Sequence, residues 1–355
     1  MAAAASAVGA TGMVETVTDT TSRTRPVLSP WLQGQLTTLL ARRGHAWLLQ
    51  GPSGLGQYTL ALELARAWLC DSPTAHGACY QCRSCHAVDV RTHADLCTLM
   101  PETLALELHW PLDEKTQKDL DDKKRKPSKE IRVEAARDMV GFSQQTRSGG
   151  KTKVVLVYPA ERMNHITANT ILKTLEEPPG ETRFVLASEA AHMLLPTIRS
   201  RCQTHTMVWP SVDESLSWLQ EQGTSDVDAP VLLRAAGGRT EDALAMAHQG
   251  VKAAHWAALP KAIQRGDVSA VADGSPAQAI AMLQKLCHDL LAARAGAAPR
   301  FFMPADLPVC GSVASLSVWS RELMQAARTA EHPFNAGLMF EALVARAQLA
   351  MRAKS

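Results

Sequence analysis

The sequence predicts an α/β protein with a three-layer domain around a mostly parallel sheet, followed by two helical domains. Three observations indicate this fold class. Short apolar runs typical of buried strands alternate with amphipathic helical segments up to residue 208. A glycine-rich loop separates the first predicted strand from the next helix, which is typical of an α/β nucleotide-binding domain. Beyond residue 208 the strand signals stop, and the remaining periodic segments are helical.

The predicted elements follow one another in a regular order. A helix over residues 26–43 precedes a strand at 45–50, "HAWLLQ", and a helix at 58–70 follows the glycine loop. Two more strands are predicted at 153–158, "KVVLVY", and 183–188, "RFVLAS". The helix between them ends at Pro178 and Pro179, because proline cannot continue a helix. Alternating strands and helices imply parallel pairing.

The composition limits the classes of protein to which the chain can belong. The chain has 355 residues, 46% apolar and 20% charged, with a net charge of +2. This balance argues against a protein that holds DNA through a strongly basic surface of its own. Residues 1–27 are small and polar and predict a disordered tail without a signal peptide. With no membrane-length apolar run, we expect a cytoplasmic protein whose eight cysteines stay reduced.

Predicted domain boundaries follow the breaks in composition. They give an α/β domain at 28–208, a small helical domain at 209–272 and a second helical domain at 273–355. Within the first domain, residues 101–130 form a charged insertion. Its segment 113–130 holds seven basic and six acidic residues, so it predicts a solvated mobile loop, with DNA binding as the alternative.

The glycine loop "GPSGLGQYT" resembles a phosphate-binding loop in its first part only. Gly51 and Gly56 have the required spacing, but Gln57 and Tyr58 stand where lysine and Ser/Thr would bind phosphate and Mg²⁺. The metal-binding acid that normally ends a later strand is also missing, since the first acid after strand 153–158 is Glu161. We therefore expect no productive ATP binding and no hydrolysis. Weak nucleotide binding remains open, as does a divergent ATPase in which Gln57 and Glu161 act as substitutes.

Four cysteines predict a metal site. Cys79, Cys82 and Cys85 form a C-x2-C-x2-C motif, and Cys70 lies nine positions before Cys79. Four thiolates can close a tetrahedral zinc site that leaves no position for water, so the predicted zinc is structural. The alternatives are coincidence, replacement of one ligand by one of the nearby histidines, and a redox pair; these histidines are His76, His86 and His93.

Several motifs in order resemble a known family. They are the degenerate loop, the cysteine quartet, "NTILKTLEEPP" at 169–179 and "LLPTIRSRCQ" at 194–203. Together these residues resemble the clamp-loader subunits of bacterial DNA polymerase III, a branch of the AAA+ ATPases. The resemblance is strongest over residues 30–210 and only general in the helical C-terminus.

This resemblance implies an architecture and partners. It implies an AAA+ domain with a zinc module at 70–85, a helical lid and a helical collar that assembles subunits into a ring. The partners would be motor (gamma/tau) and delta subunits in a heteropentamer, which loads a sliding clamp onto primed DNA with ATP. The chain itself would be a stationary, non-hydrolysing member at the replisome.

The resemblance also implies a role for Arg201 of the "SRC" triplet. In the family this arginine reaches ATP held by a neighbouring motor subunit, as an arginine finger in trans. From the residues alone, an intradomain ion pair is the alternative, with Arg199 and Glu189 nearby in sequence. Arg239 lies where the family has a nucleotide-sensing arginine, but a helix start capped by Thr240 is the simpler interpretation. A third class of function is a zinc-dependent DNA-binding protein that acts alone.

Overall fold

A computed structural model describes residues 28–309, 311–330 and 335–352. The predicted tail at 1–27 lies outside the described residues, and so do Cys310, one of the eight cysteines, and Phe334, an apolar residue at the start of the last predicted helix.

The first domain is built on a five-stranded parallel sheet. Its strands are β1 (Ala46–Gln50), β2 (Leu96–Leu99), β3 (Lys153–Val157), β4 (Thr182–Ser188) and β5 (Gln203–Thr206), in the order β2-β3-β4-β1-β5. The three predicted strands are confirmed as β1, β3 and β4, and they occupy the centre of the sheet. The two edge strands gave no sequence signal, because each has only four residues and β5, "QTHT", is polar and mostly exposed.

Helices cover both faces of this sheet, so the three-layer prediction is confirmed. One face packs against α1 (Pro30–Leu40), α2 (Gln57–Leu69) and α3 (Arg83–Asp89). The other packs against α6 (Val133–Gln144), α7 (His165–Glu176) and α8 (Pro196–Arg199). Adjacent strand residues point to opposite faces. In β1, accordingly, Trp47 joins the first core and Leu48 the second.

The charged insertion is folded, which corrects the prediction of a mobile loop. It forms α4 (Glu102–Glu107) and α5 (Glu114–Asp121). The carboxylate of Glu102 pairs with Arg125 and with Arg132, which ties the segment to the domain. The expected solvation of the segment 113–130 is confirmed, since none of its residues is buried.

The C-terminal half is helical, as predicted, with two apolar cores. The first holds α9 (Val212–Glu221), α10 (Asp228–Ala235) and α11 (Thr240–His248). The second holds α12 (Ala253–Arg265), α13 (Ser269–Ala272), α14 (Pro276–Arg294), α15 (Val313–Thr329) and α16 (Ala336–Arg352). Because Trp256 and Ile263 of α12 pack in the second core, we propose a lid–collar boundary near residue 250 instead of 272. Within the described ranges, no helix is both long and apolar enough to span a membrane.

Candidate nucleotide and metal sites

The phosphate-type loop keeps its shape, and Gln57 points back into it. Gly56 has a left-handed conformation, with φ of 78°, and α2 begins at the next residue. The side-chain amide of buried Gln57 donates to the carbonyls of Gly51, at 2.9 Å, and Pro52, at 2.7 Å. Gln57 therefore fastens the two ends of the loop to each other. A lysine in this position would instead direct its charge at a phosphate.

Two tyrosines pack against each other beside the phosphate-type loop. The rings of Tyr58, after the loop, and Tyr158, after β3, have centroids 5.3 Å apart. Trp110 Nε1 donates to the Tyr58 hydroxyl at 2.7 Å, and the Tyr158 hydroxyl donates to Glu189 Oε1 at 2.9 Å. Burial raises the pKa of both tyrosines, and the Glu189 carboxylate raises that of Tyr158 further. Both hydroxyls therefore stay protonated and uncharged at neutral pH.

Glu161 is held by the backbone at the end of β4. Its Oε1 accepts a hydrogen bond from the backbone N–H of Glu189 at 3.2 Å. Its other oxygen is buried and has no hydrogen-bond partner among the described residues. The Glu161 carboxylate is thus hydrogen-bonded to the backbone of Glu189. Among the described residues it makes no hydrogen bond to Gln57, whose amide donates to Gly51 and Pro52.

The lid contacts the loop at the start of α11. Arg239 is the residue before the helix and pairs with Asp242 at 2.6 Å. The expectation that Thr240 caps α11 is wrong: Thr240 is the first helical residue, and its hydroxyl donates to Ser215 Oγ at 3.0 Å. The Thr240 hydroxyl therefore joins α11 to α9 and does not cap its own helix.

Arg201 lies just after α8 and pairs with Glu176 at the end of α7. Its Nε donates to Glu176 Oε2 at 2.9 Å, and its Nη1 donates to the carbonyl of Thr197 at 3.0 Å. The side chains remain 32% and 55% exposed, so this is a surface ion pair. The alternative hypothesis of an ion pair within the domain considered Glu189 as the nearby acid, but the Glu189 carboxylate accepts a hydrogen bond from Tyr158 instead. An exposed pair of this kind contributes about 0–1 kcal/mol, so it holds Arg201 only weakly.

The four cysteines come together as predicted. All four sulfurs lie within 4.8 Å of one another, and the Cys70 and Cys82 sulfurs are 3.9 Å apart. Sulfurs bound to a tetrahedral zinc at about 2.3 Å would be about 3.8 Å apart, so the quartet fits such an ion. The backbone N–H of Gln81 lowers the pKa of the Cys79 thiol to about 6, whereas burial raises that of Cys85. The described residues bring no histidine into this cluster.

A buried charged network joins the cysteine module to α2, and the sequence analysis did not predict it. Arg66 Nε contacts Glu63 Oε1 at 3.1 Å, and Arg66 Nη1 donates to the Cys85 carbonyl at 3.2 Å. The Tyr80 hydroxyl donates to Glu63 Oε2 at 2.7 Å. The module is thereby tied to the helix that follows the phosphate-type loop. Two charged residues, Glu63 and Arg66, in a largely apolar helix are the sequence clue to this network.

Fold and site together define a protein of the AAA+ class: a parallel sheet between helical layers, a phosphate-type loop after β1, a cysteine module and helical domains. The family model described as "DNA polymerase III, delta subunit" matches residues 32–209. The chain is similar to the DNA polymerase III subunit delta' of Pseudomonas aeruginosa, with 38% identity over 63% of this chain and 62% of that protein. The same subunit of Escherichia coli K12 is 34% identical over 61% of this chain and 60% of that protein.

The chain belongs to the delta-prime family of DNA polymerase III clamp-loader subunits. The match spans about three fifths of the length of these two relatives. Among solved structures, a DNA polymerase III gamma subunit-related protein of Thermotoga maritima covers 90% of this chain and 100% of its own, with 17% identity and a TM-score of 0.46.

Proposed function

We propose that this chain is the non-hydrolysing delta-prime subunit of a cytoplasmic, nucleoid-associated clamp loader. It would assemble through its collar with motor (gamma/tau) and delta subunits in a heteropentamer, which loads the sliding clamp onto primed DNA. The observation that carries the proposal is the contact between Tyr58 and Tyr158. Rings fill the two positions from which a hydroxyl and an acid would bind Mg²⁺. Family membership supplies the setting.

In this role the chain has no ATPase activity of its own, and its chemical contribution is Arg201. A guanidinium is suited to stabilising charge on a phosphoryl group in transfer, and an arginine supplied in trans can be worth about 10³–10⁵ in rate. Two features support availability of Arg201. It is partly exposed, and its weak partner Glu176 lies on the same surface. We propose that Arg201 exchanges Glu176 for the ATP of a neighbouring motor subunit.

The ion that fits the four cysteines in this proposal is Zn²⁺, in a structural role. The ligand set would be Cys70, Cys79, Cys82 and Cys85, whose sulfurs already cluster. Four thiolates favour zinc among the common divalent ions and leave no open coordination position. The ion would supply folding energy to the module and no chemical step.

The test is ATP hydrolysis and clamp loading by a loader reconstituted from the subunits of the same organism. Arg201→Ala should reduce hydrolysis partially, because other interfaces have their own motor sites, and should reduce loading more. Two controls separate a finger from a structural ion pair. Glu176→Ala removes the same ion pair but leaves the guanidinium, and Arg199→Ala removes an exposed charge two positions away.

We expect both control variants to retain wild-type hydrolysis and loading. Equal losses in Arg201→Ala and Glu176→Ala would show that the ion pair acts structurally, and no loss in Arg201→Ala would leave the chain as a scaffold. Assembly of every variant is checked first by size-exclusion chromatography.

A further inference from the structure

The start of the lid helix α11 covers both left-handed glycines of the phosphate-type loop. A β-carbon placed on Gly54, where φ is 89°, would lie 2.2 Å from Arg239 Cδ. A β-carbon placed on Gly56, where φ is 78°, would lie 2.8 Å from Glu241 Oε1. Distances this short mean that the two lid side chains rest directly on the loop backbone. Both glycines of the loop are therefore in close contact with the lid.

Little space remains between the lid and the loop. The cleft at this contact has a volume of about 0 Å³ for a water-sized sphere, whereas small-molecule sites usually offer about 300–1,000 Å³. A second contact holds the lid in place beside it, since the Trp31 and Trp218 rings meet edge to face at 5.4 Å. The cleft is lined by Trp31, Gly54, Leu55, Trp209, Pro210, Thr240 and Glu241.

The charge at this contact has the sign of a phosphate. Gly56 is the residue before α2, a helix of 13 residues, and the N-terminus of a helix attracts anions. The carboxylate of Glu241 lies against Gly56 beside this end of the helix, close to any phosphate that the loop would bind. A triphosphate that entered would have to displace Glu241 and would be repelled by it, because like charges at close range in a partly buried site interact strongly.

We propose that Glu241 excludes nucleotide from the phosphate-type loop, as a carboxylate packed on Gly56 that would repel a phosphate, and that Arg239 holds the start of α11 on the loop by packing on Gly54. This inference rests on the proposed function, in which the loop binds no nucleotide productively. It goes further because it places the exclusion on the lid and not only in the altered loop sequence. Restoring the loop sequence alone should accordingly leave the site closed.

The test measures binding of Mg²⁺ and a fluorescent N-methylanthraniloyl ATP by the full-length chain. The variant Gln57→Lys/Tyr58→Thr restores the sequence G-x-x-x-x-G-K-T. Adding Glu241→Ala removes the carboxylate from the loop, and Glu241→Gln in the same background removes its charge but keeps its size. Asp213→Ala, also in that background, removes an exposed lid carboxylate from α9 as a control.

We expect the variant with Glu241→Ala to bind the nucleotide at least tenfold more tightly than the loop variant alone. Glu241→Gln should lie between them, and Asp213→Ala should equal the loop variant. Far-ultraviolet circular dichroism and thermal unfolding confirm that each variant is folded.

Two outcomes overturn the inference: tight binding by the loop variant without any change at Glu241, or no binding by the folded variant that carries Glu241→Ala. Failure of the proposed function is a separate result, because it requires Mg²⁺-dependent binding by the wild-type chain.

Discussion

Replacing Arg66 with methionine should destabilise the first domain, because Arg66 is the buried cation that joins α2 to the cysteine module. Its side chain is only 3% exposed and contacts Glu63, Asp89 and the carbonyl of Cys85. Arg66→Met preserves much of the apolar stem and removes the charge. The carboxylate of Glu63, itself 4% exposed, is left buried without its counter-ion.

The size of the effect follows from what remains around Glu63. Breaking a buried ion pair by removing one partner costs about 3–5 kcal/mol. The Tyr80 hydroxyl still donates to Glu63, and Asp89, at 41% exposure, can be solvated by water. We therefore expect Arg66→Met to lower the unfolding free energy by about 3 kcal/mol, the lower end of that range.

Urea denaturation of the zinc-loaded protein measures this loss, and release of zinc to a chelator reports the module. Arg83→Met is the matched control, because Arg83 lies on the same module with an exposed side chain. It should change stability by no more than about 0.5 kcal/mol. Adding Glu63→Gln to Arg66→Met should recover part of the loss, since an amide oxygen can still accept from Tyr80. A loss in Arg66→Met as small as in the Arg83 control would refute the reasoning.

Three further predictions concern the same sites. Burial, with a smaller contribution from Asp242, raises the pKa of Glu241 above its ordinary value of 4.5 in the folded protein. The folded chain therefore holds the proton of Glu241 more tightly than the unfolded chain, and folding stability falls as pH rises from the unfolded-state pKa through the folded-state pKa. Glu241→Gln should raise the melting temperature at pH 7 but not at pH 3.5. An equal gain at both pH values would contradict this prediction. Cys79→Ser should abolish stoichiometric zinc, measured by mass spectrometry, and lower the melting temperature as chelation of the wild type does; a fully loaded variant would exclude Cys79 as a ligand. Trp110→Phe should cost about 1 kcal/mol in unfolding free energy by removing the hydrogen bond to Tyr58; the same cost in a Tyr58→Phe background would show that this bond is not the cause.

Features encoded by neighbouring residues were predictable from the sequence. The central strands β1, β3 and β4 were predictable because they are continuous apolar runs, and α2, α7, α14 and α16 have helical periodicity. The cysteine quartet followed from spacing alone, since residues so close along the chain can reach one ion. The altered loop and the family motifs are likewise strings of adjacent residues, which is why the class of protein could be predicted.

Features that join distant residues were decided by the tertiary structure. Glu241 lies on Gly56, Arg201 pairs with Glu176 instead of Glu189, and Trp110 of the insertion donates to Tyr58. Each contact depends on which charged or polar group lies within reach once the elements are packed. The periodicity of the sequence carries no information about which groups become neighbours. The edge strand β5 is an example in the backbone: its polar residues become a strand only because β1 offers hydrogen-bonding groups beside them. The sequence determined the elements and the kind of site, and the packing of distant elements determined which side chains close the loop and which remain exposed.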